Sequence, residues 1–388
     1  MKLITTTALA LVAALAAAPA IAQTPSAPAQ QQVKITPSKP ALKAISDLND
    51  AVTKSDFASV PAKAAAAQAV ATTKDDRYLI GQLQLKAALA EKNDAATAAA
   101  IDTLAASGYL EPSKTSQLYL GLGGTYFNNK QYPQAAAAYQ KALALDPNNI
   151  EAGSLLGESL FAQGQKAQAA AAFQRAIQAR VAAGQKPEES LVKRAVAVAY
   201  DARSPAAIEL ARQWVSAYPS AGSWSDAIAI YTNLSHPDVE GTLDLLRLMQ
   251  VTGALNTGGE YAQYARAAAE QYNFNEAQVA FNAGVAAKLI DPSKPEYSDL
   301  NGLKNKPQAT AADLEEATKT AQSGMALLRI GDRYYAMGNY AKAVELYKMS
   351  MGKPGVDAAV ANLHIGMALV VDFREETEAF TVPVFRPA

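Results

Sequence analysis

Residues 119–147 read YLGLGGTYFNNKQYPQAAAAYQKALALDP, and the same order of large and small residues returns at 153–176, in GSLLGESLFAQGQKAQAAAAFQRA. The matched pairs, each 34 residues apart, are Leu122 and Leu156, Gly123 and Gly157, Ala135 and Ala169, Tyr139 and Phe173, and Ala142 and Ala176. Chance is a poor explanation for so many pairs with a single offset. A fixed period of this length indicates a chain built from stacked supersecondary units.

This order of residues resembles the tetratricopeptide repeat, whose period is about 34 residues. The resemblance implies an all-α fold, a right-handed superhelical solenoid of antiparallel helix pairs. Alternating strand patterns are missing from the sequence, which agrees with that expectation. The residues expected to pack the repeats are Leu122, Gly123, Tyr126, Ala135, Tyr139, Ala142, Leu156, Gly157, Ala169, Phe173, Ala176, Gly331, Tyr334, Ala343 and Tyr347.

The match is good near 116–183 and 324–370 and weaker between them. We expect a signal peptide at 1–22, a disordered Pro/Gln/Ala-rich spacer at 23–40, divergent helical hairpins at 41–110, a well-matched repeat pair at 111–183, degenerate repeat-like hairpins with insertions at 184–309, C-terminal repeat units at 310–371 and an irregular tail at 372–388. Within 184–309, the Pro-containing stretch 291–308 is expected to be a loop inserted on one face. Pro383 and Pro387 oppose a helix in the tail, so the last helix is expected to end near 371. Either a shifted or truncated reading frame or a tail that folds on a partner would produce such a C-terminus.

The first segment has the pattern of an export signal. Lys2 precedes an uncharged stretch, and Ala20 and Ala22 are the small residues that signal peptidase reads, so cleavage is expected before Gln23. The apolar stretch is too short for a stable membrane span, and the chain has no cysteine for a lipid anchor. Exported chains without cysteine are typical of bacteria, which favours the periplasm of a Gram-negative bacterium.

Composition excludes several classes of chemistry. The chain has 388 residues, no cysteine, two histidines, and 35 basic against 36 acidic residues. Disulfides, thiolate metal sites and cysteine nucleophiles are therefore absent, and no excess of positive charge points to nucleic acid. His236 lies in a predicted turn and His364 on a predicted helix, and neither has the spacing of a metal ligand. We expect no catalytic residue, no metal and no cofactor.

The resemblance implies that the first helices of the repeats line a groove for a peptide or protein. The candidate groove residues are Gln117, Leu120, Phe127, Ser154, Glu158, Phe161, Asp332 and Tyr335. The best-known groove of this family clamps a C-terminal carboxylate with asparagine and lysine. Gly124, Glu158 and Asp332 stand where that clamp needs asparagine, so aromatic and acidic side chains favour apolar or basic ligands instead.

The sequence therefore predicts an exported, non-enzymatic scaffold that binds an unidentified protein or peptide, with no nucleic acid and no stable membrane insertion after signal cleavage. It does not define the oligomeric state. Two alternatives stay open: a hydrolase or sugar-processing enzyme on a helical array, and a structural component of an envelope assembly complex.

Overall fold

The structure, a computed structural model, describes residues 35–381, with side chains up to residue 374. The predicted signal peptide, most of the predicted spacer and residues 382–388 lie outside the described residues. Within them, the regular structure consists of α-helices and short 3-10 turns, with no β-strand. The described residues divide into two compact units, one up to Leu210 and one from Ala211 onward, and the boundary falls inside one helix, α10 (Ala206–Ala217).

The first unit is a succession of helices that pack in pairs. They are α1 (Leu42–Thr53), α2 (Val60–Val70), α3 (Lys74–Ala90), α4 (Asp94–Ala106), α5 (Pro112–Asn128), α6 (Tyr132–Leu145), α7 (Ile150–Ala162), α8 (Lys166–Ala182) and α9 (Glu189–Asp201), followed by the start of α10. The pairs α3/α4, α5/α6 and α7/α8 make the most extensive contacts, and each pair also contacts the next. This nearest-neighbour packing is the arrangement of a helical repeat.

The turn inside each hairpin has one recurring backbone geometry. Lys92, Lys130 and Gly164 have positive φ, and the next residue donates its N–H to a carbonyl five residues back, as Gln131 does to Tyr126. This bond satisfies a carbonyl at the end of the first helix before the second begins. Asn93 then caps α4 by accepting from Ala96 N at 3.0 Å.

The N-terminal edge of the first unit corrects the expectation for the spacer. Asp76 is completely buried and accepts hydrogen bonds from Ser38 N at 2.7 Å, Ser38 Oγ at 2.8 Å and Thr73 N at 2.9 Å. It also completes a capping box with Thr73 at the start of α3. The segment around Ser38 is therefore held on the fold, because one carboxylate binds it and caps a helix at the same time.

The second unit contains α11 (Ala221–Ser235), α12 (Val239–Thr252), α13 (Gly258–Glu270), α14 (Phe274–Ala286), the single-turn α15 (Ser298–Asn301), α16 (Ala311–Thr320), α17 (Gly324–Ala336), α18 (Tyr340–Ser350) and α19 (Ala358–Thr381). The pairs α13/α14 and α17/α18 are its best-packed hairpins. It is not a simple linear stack, because α12 also contacts α19 and α14 contacts α17. Helices far apart in sequence therefore meet inside this unit.

Two expectations for the second unit are wrong. Residues 291–308 do not form a mere surface insertion, because two short 3-10 turns and α15 fold there and bury Leu300 and Leu303 in the core of α11–α14. The last helix does not end near 371 but continues to Thr381. Residues 372–381 contain neither proline nor glycine and include Glu375, Glu376 and Ala379, which favour helix, and the first proline follows only at 383.

Candidate functional site

The repeat-packing residues predicted from the sequence are all buried. The glycines explain how these residues pack across each hairpin. A Cβ on Gly157 would lie 2.8 Å from the ring of Phe173, and one on Gly331 would lie 2.5 Å from Tyr347. The glycine lets the aromatic ring of the second helix lie directly on the backbone of the first. This contact fixes which face of each first helix stays free of its own hairpin.

Six of the eight candidate groove residues lie on one face of α5 and α7 in the first unit, and one of them, Phe127, also packs edge-on against Tyr132 of α6, with ring centroids 5.4 Å apart. Gln117 is exposed, and Leu120, Phe127, Ser154, Glu158 and Phe161 are partly exposed. On each helix the spacing of three or four residues places them on one face. Leu120 and Ser154, and likewise Phe127 and Phe161, are 34 residues apart, so the same repeat position contributes to the surface in both hairpins. We call these six residues the α5/α7 face.

Arg194 of α9 joins this face and changes its chemistry. Its Nε and Nη2 atoms donate to the two carboxylate oxygens of Glu158, both at 2.8 Å, and its guanidinium lies 4.3 Å from the ring centroid of Phe161. The hydrogen bond with Glu158 raises the pKa of Arg194. The acid predicted for the groove is therefore neutralised by a planar cation. Sequence reasoning missed Arg194 because the repeat pattern is weak around α9.

The two candidate groove residues in the second unit, Asp332 and Tyr335, are less accessible. Asp332 is 7% exposed and takes part in a buried network of charges, so its expected place in an open groove is wrong. Tyr335 is partly buried and its ring packs edge-on against Tyr340, with centroids 5.4 Å apart. The contact of α12 with α19 brings other helices over these positions, whereas a linear stack would leave them open.

Five side chains form the network, which we call the ion cluster: Asp244 and Arg247 of α12, Glu276 of α14, Asp332 of α17 and His364 of α19. Arg247 is at its centre. Its Nε and Nη2 donate to Glu276 at 2.7 and 2.8 Å, its Nη1 donates to Asp244 at 2.8 Å, and its Nη2 lies 3.1 Å from Asp332 Oδ2. One guanidinium thus joins three helices through charge-assisted bonds.

His364 completes the cluster. Its Nδ1 lies 2.8 Å from Asp332 Oδ1 and its Nε2 lies 2.8 Å from Asp244 Oδ1. Carboxylate oxygens only accept, so both ring nitrogens must carry a proton and the ring is an imidazolium. Burial lowers the pKa of His364, but the carboxylates of Asp332 and Asp244 outweigh it and raise the pKa to about 9. In turn, burial raises the pKa of Asp332, while Arg247 and His364 bring it down to about 2.

Neutral polar groups satisfy the remaining oxygens of the deeper carboxylates. Tyr264 OH and Asn273 Nδ2 donate to Glu276 at 2.8 and 2.7 Å, and Tyr347 OH donates to Asp332 at 3.0 Å. Burial raises the pKa of both tyrosines well above its ordinary value. These hydroxyls therefore stay protonated as donors. The sequence carries no signal for the ion cluster, because its five members come from four helices and His364 has no titratable neighbour at helical spacing.

No group of three or more His, Asp or Glu side chains in residues 35–374 is arranged to hold a metal ion. Among the described helices, none combines the length and the apolar character that a membrane span requires.

The hairpins, their glycine–aromatic contacts and the free faces of their first helices define a helical-repeat protein. Residues 123–164 match the family model of the tetratricopeptide repeat. This part of the chain therefore contains the tetratricopeptide repeat that the 34-residue spacing predicts, within an all-α fold of paired helices.

Comparison with solved structures gives matches of low identity and low TM-score. A solved structure from a functional characterization of PilF from Pseudomonas aeruginosa is 14% identical to this chain, covers 51% of this chain and 85% of its own, and has a TM-score of 0.26. A tetratricopeptide-repeat protein from Parabacteroides merdae gives 12% over 66% and 98%, with a TM-score of 0.28. The C-terminal part of one from Cytophaga hutchinsonii gives 14% over 71% and 96%, with a TM-score of 0.29. No curated protein matches the chain.

Proposed function

We propose that this chain is an exported, non-catalytic scaffold that binds a protein or peptide partner on the α5/α7 face. The observation that carries the proposal is the state of that face: Gln117, Leu120, Phe127 and Phe161 remain at least partly exposed, although the rest of each hairpin is well packed. An apolar strip with polar neighbours on adjacent first helices suits an extended segment or a helix of a partner.

The pairing of Glu158 with Arg194 refines the expected ligand. Because the carboxylate is neutralised, a basic ligand has no strong advantage at Glu158. The partly exposed Phe127 and Leu120 favour apolar side chains. Gln117 offers hydrogen bonds at the border, and the Ser154 hydroxyl, which donates to Ile150 O at 2.8 Å, can accept one. We therefore expect apolar anchors with polar flanks in the partner.

A photo-crosslinking amino acid at Leu120 tests the proposal in the full chain expressed in a Gram-negative host. Gln140 is exposed on the second helix α6 of the same hairpin and gives the matched control position. We expect one protein to crosslink at Leu120 and not at Gln140. Equal crosslinking at the two positions, or none at Leu120, would contradict the assignment of the face.

A further inference from the structure

The ion cluster is the floor of a cleft of about 230 Å³ within the second unit. The cleft lies among the first turns of α12, the middle of α17 and the first turns of α19. Leu243, Leu328, Met325 and Val360 contribute apolar side walls. A volume of this size accepts one long side chain. The combination of apolar walls and a charged floor distinguishes it from an ordinary surface groove.

The hydrogen bonds of the cluster leave one acceptor free. Both oxygens of Glu276 and both oxygens of Asp332 are occupied, and Asp244 Oδ1 receives Arg247 Nη1 and His364 Nε2. No bond to Asp244 Oδ2 is found within residues 35–374. The side chain of Asp244 is 14% exposed, whereas the other four members of the cluster are exposed by 9% or less, so Asp244 is the member that the solvent in the cleft reaches.

The net charge of the ion cluster also favours a cationic ligand in the cleft. Three carboxylates face one guanidinium and one imidazolium, which leaves one negative charge without a partner. A buried charge is costly unless it is paired. At the mouth, Asp238 and Asp357 cap α12 and α19 and accept from Gly241 N and Ala359 N.

Two arginines also stand at the mouth. Arg329 is paired with Glu240 at 2.6 Å, and no ion pair of Arg333 is found among the described side chains. Counting all groups around the cleft together with Glu276, six carboxylates face three arginines and the imidazolium of His364. The excess charge is therefore negative at the floor and over the whole cleft.

From this geometry we infer that the cleft binds one basic side chain, lysine or arginine, of a partner protein, with its cationic head at Asp244 Oδ2 and its methylenes between Leu328 and Met325. Long basic side chains bury their apolar stems and keep the charge at a polar end, which is the pattern of these walls and this floor. The site is separate from the α5/α7 face, and its test uses small ligands, so failure of either proposal leaves the other standing.

The test is NMR titration of the full mature chain labelled with ¹³C-methyl methionine, with Met325 as the reporter in the cleft wall. The probes are N-acetyl-lysinamide, N-acetyl-argininamide, putrescine and N-acetyl-norleucinamide, the last of which has the lysine stem without its charge. We expect saturable shifts of the Met325 signal with the lysine or arginine derivative and none with the norleucine derivative. Equal shifts with norleucine, or putrescine as the markedly tighter ligand, would overturn the assignment to a protein side chain.

Two variants give opposite expected effects. Asp244→Asn keeps an acceptor for Arg247 and His364 but removes the charge at the free oxygen, and we expect at least tenfold weaker binding. Arg333→Glu changes only the mouth, where folding is not at risk, and we expect binding several-fold tighter. Asp226→Asn, on the exposed surface of α11, is the control. Unchanged affinity in the folded Asp244→Asn protein, or weaker binding in Arg333→Glu, would contradict the inference.

Discussion

The ring of Tyr139 lies directly on the backbone of Gly123, so closely that a Cβ at Gly123 would overlap Tyr139 Cε1 and Cδ1. Tyr139 is fully buried and cannot turn aside. The neighbouring Gly124 differs in one respect: nothing lies within 4 Å of the place its Cβ would take. Two adjacent glycines in one helix therefore stand in opposite environments.

Substitution of these two glycines should change stability in opposite directions. Gly123→Leu forces the helices of the hairpin apart, and we expect a loss of about 1–3 kcal/mol, as overpacking costs. Gly124→Ala fills open space and reduces the freedom of the unfolded chain, for a gain of up to about 1 kcal/mol. Urea unfolding followed by circular dichroism measures both. A Gly123→Leu protein as stable as the parent would show the hairpin packing to be wrong.

Tyr139 and Tyr347 occupy the same repeat position but differ in their hydroxyls. Tyr139 OH is buried without a hydrogen-bond partner among the described residues, and Phe173 takes the same position in the next hairpin. Tyr347 OH donates to Asp332. We expect Tyr139→Phe to be neutral or stabilising by about 1 kcal/mol, and Tyr347→Phe to be destabilising by about 1–3 kcal/mol. Melting midpoints compare the two variants, and equal losses would contradict the assigned environments.

The hairpins and the ion cluster differ in how far the sequence predicts them. The hairpins of α5–α8 and α17–α18 were predictable because glycine, alanine and an aromatic residue recur at a fixed period, and local packing enforces that period. The ion cluster was not, because the pairing of Asp244 with His364 spans 120 residues and depends on how helices of one unit meet. The two prolines beyond 381 do not locate the end of α19, because the helix-forming residues before them carry the helix on to Thr381.

The imidazolium of His364 makes the second unit sensitive to alkaline pH. Its pKa of about 9 in the folded state exceeds the ordinary 6.5. The stabilisation is therefore complete below pH 6.5 and is lost as the pH rises through 9, by on the order of 3 kcal/mol. Trp214 and Trp224, the only tryptophans, both belong to the second unit, so their fluorescence reports its unfolding. The loss should vanish in His364→Gln and persist in the control His236→Asn. A free energy of unfolding that stays constant between pH 6 and 9 would contradict the hydrogen bonding of the His364 ring to both Asp332 and Asp244.

A buried arginine and an exposed arginine should contribute very different amounts to the free energy of unfolding. Arg247→Met leaves three carboxylates of the ion cluster without their central partner, and we expect a loss of about 3–5 kcal/mol or failure of the second unit to fold. The pair of Arg329 with Glu240 is exposed on both sides, so Arg329→Met should cost less than about 1 kcal/mol. Denaturant unfolding of both variants gives the comparison. Similar small effects would mean that the cluster is not closed in solution.

Export of the chain requires cleavage of its signal peptide. The mature chain isolated from a Gram-negative host should begin at Gln23, and Ala22→Arg, which removes the small residue before the cleavage site, should block processing. Mass spectrometry of the N-terminal peptide from the periplasmic fraction measures this. A chain that retains Met1 in that host would contradict cleavage at this position.

Binding on the α5/α7 face is tested by the affinity of the partner captured at Leu120 for variants of that face, measured by calorimetry with the full mature chain. Leu120→Asp places a charge in the apolar strip without entering the hairpin core, and Gln140→Asp makes a comparable change on α6. We expect binding at least tenfold weaker for Leu120→Asp and unchanged for Gln140→Asp. Equal affinity of the two variants and the parent would contradict the α5/α7 face as the binding surface.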